Sequence, residues 1–131
     1  MIFNWKKTEK SAATTRQKGA AAENAALEYL QAAGLELVER NFKTPGRGGG
    51  EIDLIMRAAD GALIFVEVRA RRSAAAGGAA ASVTATKQRR IILAAQHYLL
   101  RHRKPPPCRF DVVAIEGGNI EWIQGAFAAG D

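Results

Sequence analysis

The chain is expected to adopt an α/β fold, a mixed β-sheet of about five strands flanked by helices. Three features of the sequence lead there. Residues 50–57 and 63–69 alternate apolar and polar positions as strands do. Residues 15–33 and about 84–102 carry apolar stripes at helical spacing. The resulting order of helix, three strands, helix and two strands packs naturally as one sheet with helices on its faces.

Composition narrows the class of protein. At 131 residues the chain is one domain with enough material for a core, and 47% apolar residues argue against global disorder. Lys and Arg number 19 against 13 Asp and Glu, a formal charge of +6 that suits a polyanionic partner, nucleic acid above all. A single cysteine, Cys108, excludes an intramolecular disulfide and fits a reducing compartment. No apolar run reaches the ~20 residues that cross a bilayer, and the first residues lack a signal-peptide core. A cytoplasmic protein with no membrane partner is expected.

Residues 1–14 are mixed polar and basic and read as a flexible extension, followed by a domain over 15–124 and a tail over 125–131. In the first helix Ala20, Glu23, Leu27 and Leu30 form the inward stripe, and Gly34 is placed to end it. Leu35 to Phe42 reads as a strand. The glycine-rich loop through Arg47 to Gly50 is not a phosphate loop of the Walker type, because no Gly-Lys-Ser/Thr follows and a strand comes next. After the hairpin, Ala74 to Ala81 with Gly77-Gly78 reads as a flap or crossover. Ser82 or Thr84 caps a helix with an Ile91, Ile92, Ala95, Tyr98, Leu99 stripe. Pro105-Pro106-Pro107 ends that region, and strands follow at 109–115 and 120–123. His97 and His102 lack zinc-ligand spacing and read as surface or rim residues.

The hairpin register follows from the apolar pattern. A two-residue loop at Asp60-Gly61 would put Ile52 on one face with Glu67 and Arg69. A three-residue loop, Ala59-Asp60-Gly61, places Gly61 where a left-handed residue is needed and gathers Ile52, Leu54, Met56, Ile64, Val66 and Val68 on one face. A one-residue slip destroys that face, which selects the longer loop. On the other face Asp53 then falls opposite Glu67, and Glu51 opposite Arg69. Like charges so placed are destabilising. A hard divalent cation relieves them in one reading; in the other, Arg69 and nearby arginines neutralise a structural cluster.

The run Gly50-Glu51-Ile52-Asp53-Leu54-Ile55 with Phe65-Val66-Glu67-Val68-Arg69 closely resembles the YraN family of bacterial proteins. That family is similar to archaeal Holliday-junction resolvases and has a restriction-endonuclease-like core. The resemblance spans roughly residues 17–124 and includes Gly19-x-x-x-Glu23, Asn41, Ser82-Val83 with Lys87, and Arg109-Phe110-Asp111-Val112-Val113. It implies a PD-(D/E)xK site: Glu23 as the helix acid, Asp53 as the strand acid, Glu67 as the second metal ligand, and Arg69 at the lysine position. It implies Mg²⁺ or Mn²⁺ held by Asp53 and Glu67, and a homodimer by analogy with resolvases. Arg69 is a departure, because arginine keeps its proton and cannot serve as a general base. Ala76, where the family is expected to carry a bulkier residue, is another.

These readings lead to a metal-dependent endonuclease acting on DNA, with branched or damaged forms as candidate substrates. A catalytically inactive nucleic-acid-binding module of the same fold is the alternative, and a scaffold for acidic protein partners is a third. Arg47, Arg71, Arg72, Lys87, Arg89 and Arg90 are the basic residues expected to meet nucleic acid.

Overall fold

The computed structural model describes residues 15–46, 48–71 and 83–129, with nothing stated for the side chains of 15–18 and 71. Helix α1 spans Thr15–Ala32, strands β1 Glu36–Lys43, β2 Glu51–Arg57 and β3 Leu63–Arg71, helix α2 Ala85–Leu99, and strands β4 Cys108–Glu116 and β5 Asn119–Phe127. The five strands lie in one sheet in chain order. β3 and β4 are parallel and every other neighbouring pair is antiparallel, so the sheet is mixed as expected. A parallel pair needs a long crossover, and α2 lies within the β3–β4 connection. The N-terminal extension and the Ala74–Ala81 flap fall outside the described residues.

Each face of the sheet is covered by one helix. Ala26 and Leu30 of α1 pack with Leu54, Met56, Ile64, Val66 and Val113. Ile91, Ala94, Ala95 and Tyr98 of α2 pack on the other side with Ile55, Leu63, Phe65, Phe110 and Val112. The α1 stripe differs from expectation at one position. Ala20 is exposed and Ala26 makes the contact instead, because the buried stretch lies in the C-terminal half of the helix. Helix α1 stops at Gly34, which takes φ 104°, while Leu35 N–H reaches back to Leu30 O at 3.0 Å. Of the two candidate caps, Thr84 caps α2: its hydroxyl accepts from Lys87 N–H at 3.1 Å. The helix ends at Leu99, short of His102.

The hairpin has the expected register. Leu54 pairs with Val66, Ile55 with Phe65, Met56 with Ile64 and Arg57 with Leu63. Gly61 sits at φ 92°, its N–H bonds Ala58 O at 2.9 Å, and Asp60 Oδ1 accepts from Ala62 N–H at 3.0 Å. The expected faces fail at one residue. Ile52 packs with Phe42, Ile55 and Phe65 on the α2 side, not with Leu54 and Met56. Strand alternation breaks between Ile52 and Leu54, at Asp53.

The start of β2 is pinned against α2. A Cβ on Gly50 would fall on the carbonyl of Arg90 and crowd Ala94. Thr44 holds the loop from the other side: its Oγ1 accepts from Gly50 N–H at 2.9 Å, and its own N–H donates to Gly50 O at 3.1 Å. Gly50→Ala is therefore expected to cost about 1–3 kcal/mol by overpacking. A urea melt with an unchanged midpoint would show that the contact yields.

β5 runs beyond the expected end at Ile123 as far as Phe127, so part of the 125–131 tail is strand. A register shift between Phe110 and Val112 admits this, with Gly125 at φ 61°. Asp111, fully buried, fixes the irregularity. Its Oδ1 accepts from Arg109 Nε at 2.7 Å and Gly125 N–H at 2.9 Å, and its Oδ2 from Arg109 Nη2 and Trp122 Nε1, each at 2.8 Å.

Candidate functional site

Asp53 occupies a gap in the sheet on both of its sides. Toward β1, Arg40 pairs with Leu54 and Phe42 with Ile52, but the intervening Asn41 leaves the ladder at φ 53°. Such a left-handed non-glycine residue is uncommon and is best tolerated by Asn. Toward β3 the ladder ends at Leu54–Val66. There the Asp53 side chain takes the strand's place, Oδ2 accepting from Val68 N–H at 2.8 Å. The expected cross-strand pair of Asp53 and Glu67 is thus not a ladder pair. Their carboxyls nevertheless lie close enough for the charge of Glu67 to raise Asp53. Glu51 does not face Arg69 as a partner; it pairs across the sheet with Lys43.

Glu67 is buried, its backbone held by β4 opposite Val112. Two cations reach its Oε2: Lys87 Nζ at 3.4 Å, from the first turn of α2, and Arg69 Nη1 at 3.7 Å, from β3. Burial pushes the Glu67 carboxyl above its usual range, with Lys87 and Arg69 opposing. Burial and then the charge of Glu67 push Asp53 up to about 7, against the Val68 N–H and Lys87. The pair thus holds a proton near neutrality, as expected when two carboxylates share a dry site.

Glu23 approaches from the α1 side and bonds Arg40 Nη2 at 3.5 Å. Burial and the charge of Asp53 raise its pKa, while Arg40 and the Asn41 side chain lower it. Among the described residues, no three His, Cys, Asp or Glu side chains are gathered around one point that could hold an ion. The close donors are two, Asp53 and Glu67, with Glu23 set off beside Arg40.

The basic residues divide. Lys87 joins the carboxylates, which its place in the sequence did not reveal. Arg90 lines an adjoining cavity. Arg89 is exposed and donates to Thr86 Oγ1 at 3.2 Å. Arg47 and Arg72 lie outside the described residues, as does the side chain of Arg71. Sequence reasoning overlooked Arg40, Lys43 and Thr44; none carries a spacing signal, since Arg40 is brought in by β1 packing beside α1 and the other two by the end of β1 and its loop.

No helix among the described residues is long and apolar enough to cross a membrane. Compared with known proteins, the chain is 66% identical over 116 residues to a UPF0102 protein of Albidiferax ferrireducens, covering 88% of this chain and 91% of that one. It is 61% identical over 131 residues to a UPF0102 protein of Acidovorax sp., covering 98% and 99%, and 63% identical over 117 residues to one of Paracidovorax citrulli, covering 89% and 87%. A family model described as "Uncharacterised protein family UPF0102" matches residues 22–115, the stretch from Glu23 through Asp53, Glu67 and Lys87 to the Asp111 strand. The chain therefore belongs to the UPF0102 (YraN) family.

Proposed function

We propose that this protein is a metal-dependent nuclease that hydrolyses phosphodiesters in DNA, with Mg²⁺ or Mn²⁺ held by Asp53 and Glu67. The observation that supports the reading most is the buried carboxylate pair, in which burial and the charge of Glu67 push Asp53 up to about 7 and leave it in want of a cation. The donor set suits the ion: Mg²⁺ is typically held by one or two carboxylates, with waters and phosphate oxygens completing the shell. A divalent ion there would polarise the phosphoryl oxygens and lower the pKa of a bound water.

The chain's own residues account for the remaining requirements. Val68 N–H orients the Asp53 carboxylate by its bond to Oδ2. Arg69 keeps its charge at any working pH and offers parallel donors for phosphate oxygens. The lysine role that Arg69 cannot fill passes to Lys87, whose ammonium orients water or offsets phosphate charge beside Glu67. Glu23, steadied by Arg40, acts through water at the outer edge. A cytoplasmic homodimer on branched or damaged DNA completes the proposal, resting on the family resemblance alone.

The second reading is a nucleic-acid-binding module that does not cut. It is favoured by Lys87 and Arg69 both lying close to Glu67, where they offset its charge without an ion. Calorimetric titration with Mn²⁺ separates the two. Wild type should bind, and Asp53→Ala should not. Four-way junctions, flaps and duplexes incubated with Mn²⁺ should be cleaved, and Glu67→Ala or Lys87→Ala should lower the rate at least about a hundredfold, a few kcal/mol of barrier. Silent, identical Mn²⁺ traces for wild type and Asp53→Ala would eliminate the nuclease.

A further inference from the structure

Beside the carboxylate pair lies a cavity of 340 Å³ between the β1–β2 loop and the first turns of α2. Its charged walls are Lys43, Glu51, Lys87 and Arg90, and Thr44 with the loop glycines forms the rest. Lys87 belongs to both places: it lines this cavity and bonds Glu67.

The cavity is built by specific contacts. Thr44 bonds Gly50 through both its hydroxyl and its backbone N–H, and Gly50 lies directly against the Arg90 carbonyl. A Cβ on Gly49 would overlap Thr44 Oγ1. Glycine at these two positions brings the loop down onto α2 and places Lys43 and Arg90 around one hollow.

The charge there is not balanced internally. Among the described residues neither Lys43 nor Arg90 forms an ion pair, nor does Glu51, although it is the cross-strand partner of Lys43. Lys87 is already met by Glu67, so among the described residues the hollow sets Lys43 and Arg90 against Glu51, a positive excess that suits an anion from outside. The walls offer ammonium, guanidinium and hydroxyl donors, which suit tetrahedral phosphate oxygens.

From this we infer that the cavity is a phosphate subsite, taking the phosphate of a nucleic-acid strand next to the one held at Asp53 and Glu67. Lys87 links the two positions and sets their spacing. The inference rests on the proposed nucleic-acid substrate and not on hydrolysis, so binding tests it without metal.

The experiment measures binding of a fluorescein-labelled single strand to wild type, Lys43→Ala and Arg90→Ala without divalent ions, over a salt series. Each variant is expected to bind about tenfold more weakly, as for loss of one charged hydrogen bond. Each should also lose about 0.7 from the slope of log affinity against log salt. Mn²⁺ calorimetry on the same variants should match wild type, since Asp53 and Glu67 are intact. Strands with a 5′-phosphate or a 5′-hydroxyl distinguish the sources: an advantage of the phosphorylated strand that both variants lose assigns the subsite to a strand end. Equal binding of the two strands, weakened alike in both variants, assigns it to an internal diester. Unchanged affinity and slope in both variants overturn the subsite, whatever the cleavage assay shows.

Discussion

Asp111→Ala is expected to lower stability by about 2–4 kcal/mol, less than a fully buried ion pair because water reaches the Arg109 guanidinium. Four donors converge on its two oxygens, two on each. Truncation removes the shared acceptor of the half-buried Arg109 guanidinium and Trp122 indole and of the Gly125 amide, the groups that hold the strand irregularity. Domains of this size have only about 5–15 kcal/mol to lose, so the midpoint of thermal unfolding should fall by roughly 10–20 °C. Asp111→Asn should do nearly as badly despite its matching shape. Its amide nitrogen presents donors to donors, whichever oxygen it replaces. A loss below about 1 kcal/mol for both variants would mean that water replaces the carboxylate and that β5 does not depend on it.

That cluster also marks a limit of what the sequence made legible. Arg109-Phe110-Asp111 read correctly as strand, but Gly125 was placed in a tail. Nothing local shows that a buried carboxylate fourteen positions earlier would bind its amide and carry the strand on to Phe127. The hairpin was legible for the opposite reason. Its register is fixed by a loop glycine and by one apolar face that a single slip would destroy, both local properties. The break at Asp53 was hidden because it depends on competition for one backbone N–H. The Val68 amide goes to a side chain instead of to β2, and alternation shifts enough to move Ile52 to the other layer. Lys87 was hidden because its reach depends on how closely α2 approaches β2, which the Gly50–Arg90 contact sets in three dimensions. Residue types and periods predicted which acids would meet and that Arg69 would stand beside them; the reach of Lys87 came from packing.

Asp53→Asn is expected to stabilise the metal-free protein at pH 8 while abolishing its response to Mn²⁺. In the folded chain Asp53 keeps its proton up to about 7, against an ordinary value of 3.8. Between those values the folded state binds more protons than the unfolded state, so stability falls as pH rises and levels off above about 7. The raised Glu67 carboxyl acts in the same direction. Each tenfold difference in proton affinity between the two states is worth about 1.4 kcal/mol, net of the opposing charge of Lys87. Asparagine removes the like charge yet keeps the backbone contact, its oxygen accepting from Val68 N–H. At pH 8 the variant should therefore exceed wild type by about 1–3 kcal/mol in urea unfolding, and at about pH 4.5 the two should converge. Added Mn²⁺ at pH 8 should raise the wild-type midpoint by mass action on the folded state and leave the variant unmoved. A flat pH profile for wild type, or a variant weaker at pH 8, would mean the two acids are already satisfied by their cations. A gain in stability at the expense of ion binding is what a site held under electrostatic stress should yield when the stress is removed. A purely structural charge cluster, relieved in the same way, has no ion response to lose.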